Sequence, residues 1–226
     1  TTTGTVTGTI TSGTTIAAML DSSSGLTDGA DAYTITIAAG DAEVTATDLT
    51  ALYGKTSVAV DASAVTQITG TVAEANIVYA AGSSEITGLG NEIVVTTESS
   101  LTDVTALNTL DGNTTGTVNT ATITSITGTL AKLLTAYGSN GITGLGNEAI
   151  TVSDTTSLAA SDLNSLDSKT SGTVTTSTSL ATLTGTVAEL NTAYGSSGLS
   201  IEGDEAITIS DTTVDLSLIH ISEPTR

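Results

Sequence analysis

The chain has 226 residues, with 24 Asp and Glu against 4 Lys and Arg, a formal net charge of −20, a single His, no Cys, Trp or Phe, and 51 Thr. So few cations cannot neutralise a phosphate backbone, which excludes nucleic acid as a partner, and an anionic membrane surface would repel the chain. No apolar run approaches the ~18 residues of a membrane span, and without Cys there is no disulfide, zinc–thiolate site or thiol nucleophile.

An internal repeat runs along the chain. An apolar residue followed by Thr-Gly-Thr stands at Val6, Ile68, Ile126 and Leu183, and ITGLGNE at Ile86–Glu92 returns at Ile142–Glu148. GADAYTIT (Gly29–Thr36) and IEGDE (Ile201–Glu205) hold the same place in the first and last repeats. LYGKTSVAV, LDGNTTGTV and LDSKTSGTV (from Leu52, Leu110 and Leu166) form a second series. Repeats therefore start near residues 6, 68, 126 and 183, and residues 1–215 read as one tandem-repeat domain. Each period splits into two related halves anchored at Ala17, Leu49, Ala75, Leu107, Leu133, Leu163 and Leu190. A unit this small cannot bury a core alone and must stack on its neighbours.

In chain order, Thr34–Ile37 and Val58 with Val60 alternate as strands do, one face buried and one wet. Val72, Ala75 and Tyr79 then share a helical face, and Ser100–Asp103 has the spacing of a capping box. Leu130, Leu133, Leu134 and Tyr137 repeat the helical face, Ile142 and Leu145 suggest a short extended piece, and Ile150–Val152 a strand. Leu180 and Leu183, the helical Val187, Leu190 and Tyr194, and the strand Ile207–Ile209 close the series. Gly112, Gly138 and Gly195 stand where a helix ends in a left-handed residue. The pattern predicts an α/β solenoid of about seven stacked coils of ~28 residues, each a short helix plus parallel strands; the alternative is an all-β solenoid.

The segment GLGNE is the best candidate site. Glu92, Glu148 and Glu205, with Asp154 and Asp211 nearby, offer hard oxygen ligands on a Gly-rich turn, which suits calcium, although neither an EF-hand nor a GGxGxD repeat is present. The simpler reading is a turn closing a coil with its carboxylates in water. Asn76, Asn108, Asn164 and Asn191 mark a repeated hydrogen-bonding position directed at backbone between coils. Rows of Thr raise an ice-binding reading. No enzymatic reading holds, because a Ser-His-Asp arrangement would need the one His, and no cofactor beyond calcium is implied.

That His, His220, lies in Leu216–Arg226, LSLIHISEPTR, which also holds the sole Pro and sole Arg. The string is identical to a translated transposase-type sequencing adapter, so residues 216–226 read as non-native tail; the competing reading is a natural strand with a functional His220. Through ITGLGNEAIT, SDLNSLD and GTVAELNTAYGSSG the rest resembles the tandem-repeat regions of very large bacterial surface proteins, those of marine cyanobacteria above all, over roughly residues 6–215. The resemblance implies a secreted or surface-attached scaffold, adhesin or stalk, with neighbouring repeats of a longer chain as its partners; neither end of the sequence reads as a capping repeat, so an isolated fragment is expected to associate end to end. A ligand-binding solenoid, for ice or glycan, is the alternative.

Overall fold

The computed structural model describes residues 7–10, 13–26, 31–201 and 204–213. Val6, the start of GADAYTIT, the centre of IEGDE and the 216–226 tail with His220 lie outside the described residues. In chain order the elements are β1 (Thr7–Thr9), α1 (Ile16–Leu20), β2 (Ala32–Thr34), β3 (Glu43–Thr45), α2 (Ala46–Tyr53), β4 (Val60–Asp61), β5 (Gln67–Gly70) and α3 (Val72–Ala81). There follow β6 (Ile86–Thr87), β7 (Ile93–Thr96), β8 (Ser100–Leu101), α4 (Val104–Asn113), β9 (Val118–Asn119), β10 (Ser125–Gly128), α5 (Leu130–Gly138) and β11 (Ile142–Thr143). The last are β12 (Ala149–Val152), β13 (Ser157–Ala159), α6 (Ala160–Asp167), β14 (Val174–Thr175), β15 (Thr182–Gly185), α7 (Val187–Gly195), β16 (Leu199–Ser200) and β17 (Ala206–Ile209). The chain is therefore mixed α/β, and every strand pairing among the described residues is parallel.

Two compact units divide the chain. One comprises Thr1–Ser99, Ala106–Ile123 and Asn140–Gly144, the other Ser100–Thr105, Thr124–Ser139 and Leu145–Arg226. In the first, β3, β5, β7, β9 and β11 form one ladder in which Val44, Ile68, Val94, Val118 and Ile142 stand in line, and β4 pairs with β6 and β1 with β2. In the second, β8, β10, β12, β14 and β16 align Leu101, Ile126, Ile150, Val174 and Leu199, while β13, β15 and β17 align Leu158, Leu183 and Ile207. Aligned residues are 24 to 26 positions apart throughout. From β3 onward, each crossover between paired strands contains one helix and one other strand.

The helices bury a narrow stripe. In α2 to α7 the buried residues recur at i, i+3 and i+6: Leu49 and Leu52 follow Ala46, Leu107 and Leu110 follow Val104, Leu163 and Leu166 follow Ala160. Three such residues cover an arc of ~120° at 3.6 residues per turn, enough to face one core and no more. The Thr-Gly-Thr phrase supplies the helix entry. Its second Thr is the N-cap: the hydroxyls of Thr71 and Thr186 accept from the N–H of Glu74 and Glu189, and those Glu side chains accept from the cap N–H, completing capping boxes. Its Gly is there for space. A Cβ on Gly70 would stand 3.0 Å from the Cβ of Ala46 and one on Gly185 3.1 Å from that of Ala160, and at Gly128 it would run into Val104.

Several expectations need correction. The ladder step is 24 to 26 residues rather than ~28; the ~28 spacing belongs to the helices, whose starts at 46, 72, 104, 130, 160 and 187 are 26 to 32 residues apart. Ser100 is in β8 and bonds Ser125, and Asp103 accepts from the N–H of Thr105, so Ser100–Asp103 is no capping box. Left-handed backbone is absent at Gly112, Gly138 and Gly195; among the described residues it occurs at Gly13, Gly25, Gly82, Gly88, Gly90, Gly144 and Gly146, while α5 and α7 end on extended Ser139 and Ser196. Val58 is outside β4 and exposed, and Leu145 is outside β11. The Thr-Gly-Thr at 7–9 does not lead into a helix at Ile10; α1 begins at Ile16, where Ile16 and Met19 are buried and Ala17 is exposed. These burials set an expected contrast: Leu163→Ala costs about 2–5 kcal/mol in urea unfolding, whereas Ala17→Ser, at the aligned anchor, stays within about 0.5 kcal/mol.

Candidate functional site

The sequence GLGNE folds into a turn that turns its Glu inwards. Glu92 and Glu148 are fully buried and Glu205 is 8 % exposed. A buried carboxylate costs several kcal/mol unless its oxygens are met by donors, and the turn provides them. Gly90 and Gly146, at φ of 131° and 133°, hold their N–H groups 2.8 Å from one oxygen of Glu92 and Glu148. These are backbone angles that a side chain would strain. Asn147 adds its N–H at 3.1 Å. The helix eleven to thirteen residues upstream supplies the other donor: the hydroxyls of Tyr79 and Tyr137 donate to Glu92 at 2.9 Å and Glu148 at 2.6 Å, and that of Tyr194 donates to Glu205. Burial, then the adjacent glutamates, raises the ionisation of Tyr79 and Tyr137 far above the ordinary phenol range, so both remain donors at every physiological pH.

The aspartates of the same repeats do different work. Asp154 accepts from the N–H of Leu130 and Asp211 from that of Val187, each at 2.7 Å, at the first turns of α5 and α7. Glu98 does the same for Val72 of α3, and Asp41 for Ile16 of α1 at 3.0 Å. In each case a carboxylate 24 to 26 residues downstream meets a helix N-terminus, where N–H groups are otherwise unpaired and the dipole favours negative charge. At α5 the need is evident: the side chain of its N-cap, Thr129, makes no capping bond and Lys132 stands where α3 and α7 have Glu.

The five calcium candidates are thus spread over separate duties, three with tyrosines and two on helix ends. Among the described residues no group of three or more His, Asp or Glu is close enough to hold a metal. The asparagine position acts as expected where its bonds are resolved: Asn76 Nδ2 donates to the carbonyl of Ala106 and Asn164 Nδ2 to that of Glu189, both at 2.9 Å. The Tyr–Glu pairs escaped sequence reasoning, although both residues had been placed in the repeat, because eleven to thirteen residues of turn separate them. The aspartate caps carry no local signal, since the partners lie a full ladder step apart.

No protein-family model, curated protein or solved structure matches the chain.

The Tyr–Glu pairs make alkaline pH a probe. Ionisation of Tyr79 and Tyr137 is disfavoured by folding, so the stability this confers is complete below the free-phenol value near pH 10 and is lost as pH rises beyond it. Phenolate absorbance should show Tyr79 and Tyr137 titrating above the ordinary phenol range, together with unfolding. Tyr137→Phe strips a donor from a buried carboxylate and should cost about 1–3 kcal/mol; a normal titration of Tyr137 would contradict the pairing.

Proposed function

We propose that the chain is a structural segment of a long extracellular or cell-surface bacterial repeat protein, a solenoid of stacked three-element coils acting as spacer or scaffold. The observation that carries this reading is the uniform ladder step: the strand that follows 24 to 26 residues later meets each open edge, through a crossover of constant make-up. The repeated polar residues are engaged in holding one turn of chain to the next, as the Asp154, Glu98 and Asn164 bonds show. That is the chemistry of a scaffold rather than an enzyme. The acidic, Thr-rich composition and the resemblance to bacterial surface repeats support the location, and neighbouring repeats of the same chain are the natural partners.

One observation favours a second reading. Thr127, Thr151, Thr175 and Ser200 are aligned across β10, β12, β14 and β16, which sets a hydroxyl row at ~4.8 Å steps on the side of the strands away from the buried Ile126, Ile150 and Val174. Such a row suits an ice or glycan surface; an ice-recrystallisation assay on Thr151→Lys beside the parent chain separates the two roles.

The spacer reading makes a dimensional prediction. Inserting further copies of residues 126–182 should lengthen the particle by about 11 Å per copy, the rise of some 2.3 coils at ~4.8 Å, measured as the maximum dimension in small-angle scattering. Growth in all directions would refute the stack.

A further inference from the structure

One copy of the second repeat series differs from its neighbours in two ways that meet at one place. LYGKTSVAV, LDGNTTGTV and LDSKTSGTV align Lys55, Asn113 and Lys169, so the middle copy alone has an amide at this position. Asn113 is the last residue of α4 and is exposed. Of the nine Asn in the chain it alone has a hydroxyl residue two places on, Thr115, with Thr114 rather than Pro between them. Asn-x-Thr is the acceptor pattern for N-linked sugar. The hydroxyl belongs to the repeat, since Thr115 and Ser171 both donate to a glycine carbonyl of an earlier turn, Gly90 and Gly146, at 3.2 Å. The amide does not belong to it, and that makes Asn113 the informative residue.

The space beside Asn113 is also particular to this copy. Ile86 comes seven residues after Tyr79, whereas Ile142 and Leu199 come five after Tyr137 and Tyr194. The extra length is taken up by a short helical turn at Gly82–Ser84, and a cavity of about 280 Å³ opens between that turn and Asn113. Val78 and Leu89 give it apolar walls, Ser83 and Thr87 bring hydroxyls, and no charged residue lines it. That mixture suits a sugar ring, with its C–H faces and hydroxyl edges, and a volume at the lower end for ligand pockets takes one ring rather than a chain of them. A Cβ on Gly90 would meet nothing within 4 Å, whereas one on Gly146 would stand 3.7 Å from the carbonyl of Lys169. The equivalent place one repeat on is therefore occupied by the chain itself. Asn113 Nδ2 donates to Asn76 Oδ1 at 3.2 Å, and an amide that carries a sugar keeps one N–H for that bond.

We propose that Asn113 is an N-glycosylation site and that the first sugar of its glycan seats in the cavity beside the Gly82–Ser84 turn. The donor is a sugar linked through pyrophosphate to a lipid. The carboxamide nitrogen of Asn113 forms a bond to the anomeric carbon as the carbon–oxygen bond to pyrophosphate breaks. The amide gives up one proton, the pyrophosphate leaves with the electron pair, and nothing is oxidised or reduced. Transfer precedes folding, because in the folded chain Asn113 ends a helix and Thr115 is bonded to Gly90. Folding then brings the modified residue to the cavity. A sugar here adds bulk and solubility at the surface and no further charge to a chain at −20. The inference rests on the extracellular reading and deepens it, since the acceptor pattern is used on secreted chains.

The test is cell-free synthesis of the full chain in the presence of an oligosaccharide transferase and its lipid-pyrophosphate donor, read by peptide mass spectrometry. The parent should gain one glycan, on Asn113, and Asn113→Gln and Thr115→Ala none. Lys169→Asn places the same pattern ahead of Thr170 and Ser171, where the cavity is missing, and should gain a second glycan at position 169. In the folded products a glycan-removing amidase should release the sugar at 113 about tenfold or more slowly than the one at 169, and the modified parent should keep the circular dichroism of the unmodified chain. Absence of transfer to Asn113, release at equal rates from the two positions, or a modified parent that fails to fold overturns the proposal. Each of these failures strikes the glycan alone, because transfer in a cell-free reaction does not depend on where the chain resides. A lengthened chain that grows in all directions strikes the spacer reading and leaves the acceptor standing.

Discussion

A parallel strand of two to four residues has no partner within reach of a tight turn, so its N–H and C=O groups must be met by chain that has travelled away and come back. Here the return takes 24 to 26 residues at every strand pair, and the rest of the architecture follows from that length. A crossover this short has room for one further strand and one helix, and α2 to α7 are accordingly eight to ten residues long. Helices of ~12–15 Å are too short to persist unaided. Each contributes three buried residues; α2 is capped by its own Thr45, while α3, α5 and α7, like α1, also have a first-turn N–H met by a carboxylate one ladder step downstream.

That dependence changes the meaning of the acidic composition. A charge of −20 on a chain with four cations would ordinarily read as a solvated surface that repels itself. Much of it is instead interior or half-buried and bonded to N–H and O–H groups: Glu92 and Glu148 beneath tyrosines, Glu74 and Glu189 in capping boxes, Asp154 and Asp211 on helix ends. With Lys so scarce, the donors available to a carboxylate are backbone amides and phenols, and the repeat places both where they are needed. The expectation that the GLGNE carboxylates face water fails for this reason: the turn's own amides, opened by left-handed glycines, outbid solvent only if the Glu folds inward beneath a tyrosine.

Much of this was legible in the sequence. Apolar residues at helical spacing located α3, α5 and α7, and Ile150–Val152 and Ile207–Ile209 read correctly as strands. Six of the seven anchor residues are buried at helix centres; Ala17 fails because α1 begins ten residues after Val6, where α3, α5 and α7 begin four residues after Ile68, Ile126 and Leu183. What could not be read were contacts one ladder step apart. Nothing local in Asp154 says that it will cap Leu130, and nothing local in Gly116 or Gly172 says that a carbonyl of the preceding turn occupies the space of a side chain. Gly138 and Gly195 misled in the opposite direction. They look like left-handed stops, but their helices simply run out into extended serines.

The mismatch between the sequence period and the ladder step shows how the two are related. From Ile68 two ladder steps lead to Val118, and the equivalent residue of the next repeat, Ile126, stands eight residues further on; from Ile126 two steps lead to Val174, and Leu183 stands nine further on. Seven to eight residues is also the distance from β7 to β8, from β9 to β10, from β12 to β13 and from β14 to β15, that is, from one ladder to the next. Each sequence repeat therefore spans two turns of chain plus one change of ladder. The helices obey this count. They follow β3 and β5 in one ladder, β8 and β10 in the second, and β13 and β15 in the third. The change of ladder does not part the helices: α1 packs on α2 and α2 on α3 in the first unit, and in the second α5 packs on α6 although the two follow strands of different ladders, and α6 on α7. Helices need ~8–10 Å between axes while strands step by ~4.8 Å, and the small residues along these short helices, such as Ala46, Ala75, Ala160 and Ala193, are what allow neighbours in successive turns to approach.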